Sequence, residues 1–330
     1  MKNILKRLAM MAREMREFYF DSISYVRYNI DGTRTSEKER LISRMLLTAH
    51  SLEKGMCFEK KKKNWGEAKA VHLLSLMNKY QSYGQDEYFT LVLNVLYKYS
   101  LDKDSSKDKS LVNDIRSITN KYHALLTPDE YGVKRVCAPI SFDTNELLSF
   151  FSSRSSVRFY KDIDVSDEDI QKAYEIAKLT PTACNRQTCK VYVFKDNATK
   201  KQILENQLGD QGWAGNAPVM FVVTSDVSRF SGTYEHVQAY IDGGLFAMNF
   251  VWGLHLYHIA SCFKMFVNEH KRMAEFHKLC DIPNNEVPIV LILAGYYKDE
   301  EILCPMSHRF GSQIIFKDCK RPKMTYCLKP

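Results

Sequence analysis

After about residue 140, the sequence alternates between amphipathic helices and short apolar strands, and this alternation restricts the possible folds most. Ser166 and Asp169 have the spacing of a helix N-cap, and the helix that follows ends before Pro181. Further predicted elements are strands at 191–194, 219–223 and 287–294, and a helix at about 199–208. Helices between strands of this kind predict a mixed α+β or α/β domain in which helices cover a sheet.

The residues before this change of pattern predict helices instead. Ser36 and Glu39 have capping-box spacing, and apolar side chains then recur at helical intervals from Leu41 to Leu52. We therefore expect two parts, a mainly helical N-terminal extension at 1–140 and a second domain at 141–330.

Composition excludes several classes of function. The chain has 330 residues and a formal net charge of +8, with its lysines scattered or in short runs, so no nucleic-acid surface is indicated. Its nine cysteines form neither a CxxC pair nor a cluster with histidines, so no metal site is expected. Reduced thiols in the cytoplasm fit this pattern best.

Two segments have the composition of membrane-contacting helices. The first, 1–13, is a basic amphipathic stretch, for which packing on the rest of the protein is the favoured interpretation. The second, 243–263, lacks formally charged residues and is long enough to span a bilayer, but it contains Asn249, His255 and His258. It is predicted to be a long helix in the protein core or between subunits. Membrane contact is therefore not expected.

The segment Arg154-Ser-Ser-Val-Arg158 is the main candidate for an anion site. Two guanidinium groups flank two hydroxyl groups, and such donors can hold a phosphate dianion by charge-assisted hydrogen bonds. A helix cap in a solvated turn is the alternative. The glycines at 209, 212 and 215 do not form a dinucleotide fingerprint, and no Walker A loop is present.

The order of several motifs resembles that of the nitroreductase family of flavoproteins. The motifs are Arg154-Ser-Ser-Val-Arg158, Pro181-Thr-Ala-Cys-Asn-Arg-Gln187, Ala217-Pro218, Asp242-Gly-Gly and Ser307-His-Arg309. The resemblance covers about 146–316. It implies an α+β nitroreductase-like fold with a central, mostly antiparallel sheet flanked by helices.

The same resemblance implies an oxidoreductase that binds FMN at the interface of a homodimer. NADH or NADPH would reduce the flavin through N5, and an unknown small acceptor would reoxidise it at the same face, in ping-pong order. The cofactor carries the chemistry, so no catalytic side chain is assigned.

By position, the resemblance implies a set of cofactor-binding residues: Arg154, Ser155, Ser156, Arg158, Pro181, Thr182, Asn185, Gln187, Gln211, Met265, Phe266, Ser307 and Arg309. Within this set, Arg154, Ser156 and Arg309 correspond to the phosphate holders. Arg158 corresponds to a cation near the N1/O2 edge of the ring. The loop at 181–187 would reach the flavin from the partner subunit.

Two further positions in that set rest on a looser correspondence. Gln211 would contact the pyrimidine edge, and the backbone of Lys264-Met-Phe266 would approach N5.

The chain also departs from the family pattern. This chain has Pro181-Thr182 where relatives commonly have Pro-Ser, and Gln187-Thr-Cys189 where they have Gln-Pro-Trp. These changes beside the flavin loop put the substrate preference in doubt. The N-terminal extension resembles that of longer nitroreductase-like proteins encoded with polysaccharide-assembly genes. An alternative function is therefore a scaffold with weak or no flavin that acts as a partner in surface-polysaccharide assembly.

Overall fold

Five helices precede residue 140 in the structure of the chain, a computed structural model that describes residues 2–62, 64–102, 109–136, 141–208 and 212–309. They are α1 (Lys2–Tyr28), α2 (Glu37–Met56), α3 (Glu67–Tyr80), α4 (Glu87–Leu101) and α5 (Lys109–Lys121).

Helix α2 begins where the sequence predicts. The Ser36 side chain accepts a hydrogen bond from the Glu39 backbone, and the Glu39 side chain accepts one from the Ser36 backbone, so the capping box is complete. Its apolar face, including Met45 and Leu52, packs with α3, α4 and α5 into a core of their own.

The remaining elements form a sheet with helices on both sides. The helices are α6 (Thr144–Ser153), α7 (Asp167–Ala177), α8 (Asn197–Asn206), α9 (Gln238–Leu256) and α10 (His270–Cys280). The strands are β1 (Cys189–Phe194), β2 (Val219–Asp226), β3 (Ile259–Met265) and β4 (Glu286–Tyr296). They pair antiparallel in the order β1-β2-β4-β3, and the predicted α+β fold is confirmed.

Alternating side chains of the central strands enter two separate cores. In β2, Phe221 and Val223 face α7 and α9, whereas Met220 and Val222 face the side of α8 and α10. Helix α9 lies very close to α7, because a Cβ at Gly253 would be 2.3 Å from the carbonyl oxygen of Ala173. Both faces of the sheet are thus covered.

The uncharged run at 243–263 is not one long helix, and this prediction was wrong. Helix α9 ends at Leu256, His258 takes a left-handed backbone conformation with φ of 58°, and edge strand β3 begins at Ile259. Hydrophobicity alone does not separate a buried helix from a buried strand.

The N-terminal helices contact the sheet domain at several points. The Ser43 hydroxyl donates to the Ser228 carbonyl at 3.0 Å, and the Arg229 guanidinium lies over the Tyr88 ring. Tyr25, near the end of α1, is buried against Phe230 and Ala239. These contacts place helices α1–α5, which we call the N-terminal block, beside the segment that follows β2.

Helix α1 contacts the rest of the protein from Arg13 onward. Arg13 pairs with Glu269, and the Phe20 ring stacks on His270 with centroids 3.9 Å apart. The first half is largely exposed, so the expectation that this stretch packs on the protein holds only in part. In the described part of the chain, no helix combines the length and apolar character needed to cross a bilayer.

Candidate functional site

The segment Arg154–Arg158 runs along the outer edge of the sheet. Ser156 forms a parallel bridge with Ser261 of β3, and the Val157 amide donates to the Ser261 carbonyl at 3.0 Å. Val157 is buried, which fixes the register of the segment. Because extended side chains alternate, Arg154, Ser156 and Arg158 share the other side.

The Cys262 thiol of β3 lies beside Ser156 and near the charges of Arg154 and Arg158. Burial raises its pKa, whereas the positive charge of Arg158, a hydrogen bond with Ser156 and the charge of Arg154 act to lower it. Three donors suited to a phosphate therefore lie on one side of the segment, near Cys262.

The two cations have no counter-charge within the described residues. Arg158 lies over the Trp213 ring at 5.2 Å and donates to the Ser156 carbonyl at 3.2 Å. Neither arginine forms an ion pair with a described carboxylate, and both are half-buried. Burial lowers the pKa of the neighbouring His255; a hydrogen bond with the Phe150 carbonyl opposes this shift, and the charge of Arg154 adds to it. The arrangement fits an anion such as the phosphate of FMN.

The other predicted phosphate ligands have no described side-chain contact with Arg154 or Arg158. Ser155 is half-buried, and its carbonyl accepts from the Val157 amide at 3.1 Å. Ser307 and Arg309 lie in an exposed segment beyond β4, where Arg309 donates to the Ser307 carbonyl. No described contact joins them to Arg154, so their role stays a prediction. Gln211 lies outside the described residues.

The second candidate element is the loop from Pro181 to Gln187. The backbone N–H of Gln187 donates to the Thr182 hydroxyl oxygen at 3.0 Å, and the backbone N–H of Asn185 donates to the Thr182 carbonyl at 3.0 Å. Cys184, Asn185 and Gln187 all have left-handed backbones, with φ between 51° and 54°. Pro181, Asn185 and Gln187 are exposed, so the two amide side chains are available to a ligand.

Two side chains that the sequence did not single out as site residues hold this loop in place. Arg186 is buried and forms an ion pair with Glu235 at 2.5 Å, and it also donates to the Arg229 carbonyl at 2.9 Å. The buried carboxylate of Asp242 accepts from the Ala183 amide at 3.0 Å. Because Arg186 points inward, its neighbours on either side point outward. In the sequence, the inward position of Arg186 is indicated only by its place between two amide side chains, Asn185 and Gln187.

The arginine cluster and the loop lie at opposite edges of the sheet. The loop leads into β1, whereas Ser156 is bridged to β3, and two strands lie between them. Three strand spacings separate β1 from β3 and a fourth separates β3 from the arginine segment, which amounts to about 19 Å. One chain therefore does not bring the two groups together around a single ring.

The end of β3 lies at the arginine-bearing edge. Phe266 is buried, whereas Met265 is 72% exposed. The Lys264 amine is buried and donates to the Leu208 carbonyl. Phe263 and Met265 are exposed apolar side chains on the α9 side of β3, and Ile241 and Leu245 are exposed on α9 itself. We call these four residues the α9–β3 face.

A cavity of about 420 Å³ separates the N-terminal helices from the loop. Tyr88 and Glu87 of α4 line one side, and Thr182 and Gln187 of the loop line the other. The N-terminal block thus forms one wall of a space that borders two predicted cofactor-binding residues.

Comparison with known proteins gives one family match and several similar proteins. Residues 151–211 match the model of the Nitroreductase family. A protein of Archaeoglobus fulgidus, provisionally named NADH dehydrogenase/NAD(P)H nitroreductase, is 29% identical over 174 residues, which are 52% of this chain and 98% of the relative. An FMN reductase (NAD(P)H) of Bacillus subtilis is 31% identical over 85 residues, or 26% of this chain and 34% of that relative.

Solved structures of similar proteins were also found. One is a provisionally named NADH dehydrogenase/NAD(P)H nitroreductase from Parabacteroides distasonis, with a TM-score of 0.46 at 20% identity. That match covers 53% of this chain and 98% of the other.

Proposed function

We propose that this chain is an FMN-dependent NAD(P)H oxidoreductase of the nitroreductase type. The match of residues 151–211 to the Nitroreductase family carries the proposal, because this segment contains both the arginine cluster and the loop at 181–187. The names of two relatives, an NAD(P)H nitroreductase and an FMN reductase, agree with the two cofactors that the sequence predicts.

In this proposal, Arg154 and Ser156 hold the FMN phosphate, joined by Arg309 from the segment beyond β4. Arg158 lies near the N1/O2 edge of the ring, where a positive charge stabilises negative charge that develops on the reduced cofactor. The uncompensated charges of Arg154 and Arg158 around Cys262 support these roles.

The loop at 181–187 contacts the same flavin from a second copy of the chain. The position of the loop and the arginine cluster at opposite sheet edges supports a shared site. The exposed apolar side chains of the α9–β3 face support a homodimer interface nearby, because an apolar patch of this kind is stabilised when it is buried. In such a homodimer, each subunit supplies half of each site.

When bound, FMN supplies the hydride relay between NAD(P)H and an acceptor. The residues of the chain bind and orient the reactants, and no protein acid or base is required. The nicotinamide and the acceptor use one face in turn, which gives ping-pong kinetics. The cavity between α4 and the loop lets the N-terminal block restrict which acceptors enter.

The thiols agree with a cytoplasmic location. All six cysteines in the described part of the chain are unpaired: Cys57, Cys184, Cys189, Cys262, Cys280 and Cys304. A reducing compartment keeps thiols in this state.

An absorption spectrum of the purified full chain tests the proposed function. The expected result is an FMN spectrum that bleaches anaerobically with NADH or NADPH and returns when an acceptor such as a quinone or nitroaromatic compound is added. A chain that neither copurifies with FMN nor binds added FMN would contradict the proposal and favour the scaffold function.

A further inference from the structure

Helix α1 has, between Ile4 and Phe18, an apolar stripe that faces away from the protein. The stripe consists of Ile4, Leu8, Met11, Met15 and Phe18, at alternating spacings of four and three residues. Each of these side chains is 56–69% exposed. An amphipathic helix normally buries such a stripe against its own domain.

The opposite side of α1 makes the contacts with the rest of the chain. Glu17 accepts from the His270 amide at 2.8 Å, and Asp21 pairs with His236 at 2.9 Å. Arg13 and Phe20, on the same side of the helix, contact Glu269 and His270. Since α1 docks through its polar side, its apolar stripe points outward until Tyr25 enters the core.

The width of this face distinguishes among possible occupants. Leu5, Ala12 and Tyr19 lie beside the stripe, so the apolar sector is about 140° wide at 100° per residue. A two-stranded coiled coil has a narrower seam and usually has charged residues at the flanking positions. A helix that lies in a membrane surface has the wide sector seen here.

The charge of the segment favours an anionic occupant. The first acidic residue of the chain is Glu14, and it comes after Lys6, Arg7 and Arg13. At 100° per residue, Arg7 and Arg16 lie at the two borders of the apolar sector. Cations in these positions reach lipid phosphates when the apolar side chains enter the acyl boundary.

We propose that α1 binds the surface of an anionic lipid bilayer through residues 4–19 and attaches the enzyme there without crossing the membrane. The sheet domain remains in water, held by the polar side of the same helix. This inference does not depend on the proposed flavin chemistry.

Vesicle flotation of the full-length protein tests the proposal. We expect flotation with phosphatidylcholine vesicles that contain phosphatidylglycerol, much weaker flotation with phosphatidylcholine alone, and release at high salt. The double variant Leu8→Gln/Met15→Gln should reduce partitioning by about tenfold or more, because two apolar side chains lose their burial in lipid. Met10→Gln is the matched control, because Met10 is 58% exposed but lies outside the stripe.

Circular dichroism of each variant checks that its fold is intact, which is expected because the substituted side chains are exposed. Equal flotation with neutral and anionic vesicles, unchanged flotation of the double variant, or an equal loss for Met10→Gln would each overturn the proposal. Light scattering supplies an independent check. If the double variant converts a dimer into a monomer, the stripe is covered by a second copy, and the proposal is wrong.

Discussion

Among single residues, Arg154 provides the most direct test of the phosphate site, because its half-buried guanidinium has no described carboxylate partner. We expect Arg154→Ala to weaken FMN binding by about 1.5–3 kcal/mol, the usual range for hydrogen bonds to charged groups. Fluorescence titration of the apoprotein with FMN measures the change. Arg116→Ala, which removes an exposed arginine of α5, is the control. Equal affinities of the two variants would show that Arg154 does not hold the phosphate.

His277 makes folding stability depend on pH. Burial is the main cause that lowers its pKa, although a hydrogen bond to the Ile282 carbonyl and the charge of Glu286 oppose this. Below about pH 6.5 the unfolded chain gains a proton that the folded chain does not take up, so stability falls as pH decreases.

His277→Asn keeps a donor for the Ile282 carbonyl but removes this titration. We therefore expect the free energy of unfolding to fall less between pH 7 and pH 5.5 in the variant than in the wild type. Urea unfolding at several pH values gives the comparison, and His123→Asn at an exposed histidine controls for the substitution itself. Parallel pH profiles of wild type and His277→Asn would refute the assignment.

At the scale of elements, the loop at 181–187 requires an unusual backbone. Cys184 has φ of 54°, where a β-branched side chain is strongly disfavoured. We expect Cys184→Val to lower the free energy of unfolding by about 1–3 kcal/mol, whereas Cys184→Gly should not. Denaturant unfolding of both variants measures this. A Val variant as stable as the wild type would mean that the loop adopts another conformation.

Local patterns predicted the elements better than they predicted the contacts of this loop. The capping box at Ser36 and the alternation after residue 140 depend on neighbouring residues, so α2 and most strands could be read from the sequence. Strand β3 was missed because no formally charged residue separates its apolar residues from those of α9. The Arg186–Glu235 pair joins residues 49 positions apart, and no short motif specifies such a contact.

The site residues also divide into those whose placement depends on neighbouring residues and those whose placement depends on the path of the chain. Arg154, Ser156 and Arg158 have a spacing of two, so any extended segment places them on one side, and the structure does so beside Cys262. Arg309 depends on the path of the chain beyond β4, which neighbouring residues do not determine. Its contact with the phosphate therefore remains a prediction.

At the scale of the whole molecule, the chain contains separate hydrophobic cores. One joins α2, α3, α4 and α5, and two others lie on the faces of the sheet. A division near residue 140 remains a prediction. Contacts such as that between Ser43 and Ser228 join the N-terminal block to the sheet domain.

If each flavin site is shared between two subunits, then two defective chains can complement each other. Arg154→Ala removes a phosphate ligand, and Asn185→Asp places a negative charge on the loop while keeping its size and its tolerance for a left-handed backbone. Each variant alone should bind FMN weakly. In a heterodimer of the two, one site receives both altered elements and the other receives neither.

Coexpression with two different tags allows this heterodimer to be purified through both. At an FMN concentration that saturates the wild type but not the single variants, we expect about half of the wild-type flavin content per dimer. If the cluster and the loop of one chain formed a site together, both sites of the heterodimer would carry one defect, and its flavin content would match that of the weak parents. The measurement therefore separates a shared site from a site within one chain, whichever substrate the enzyme reduces.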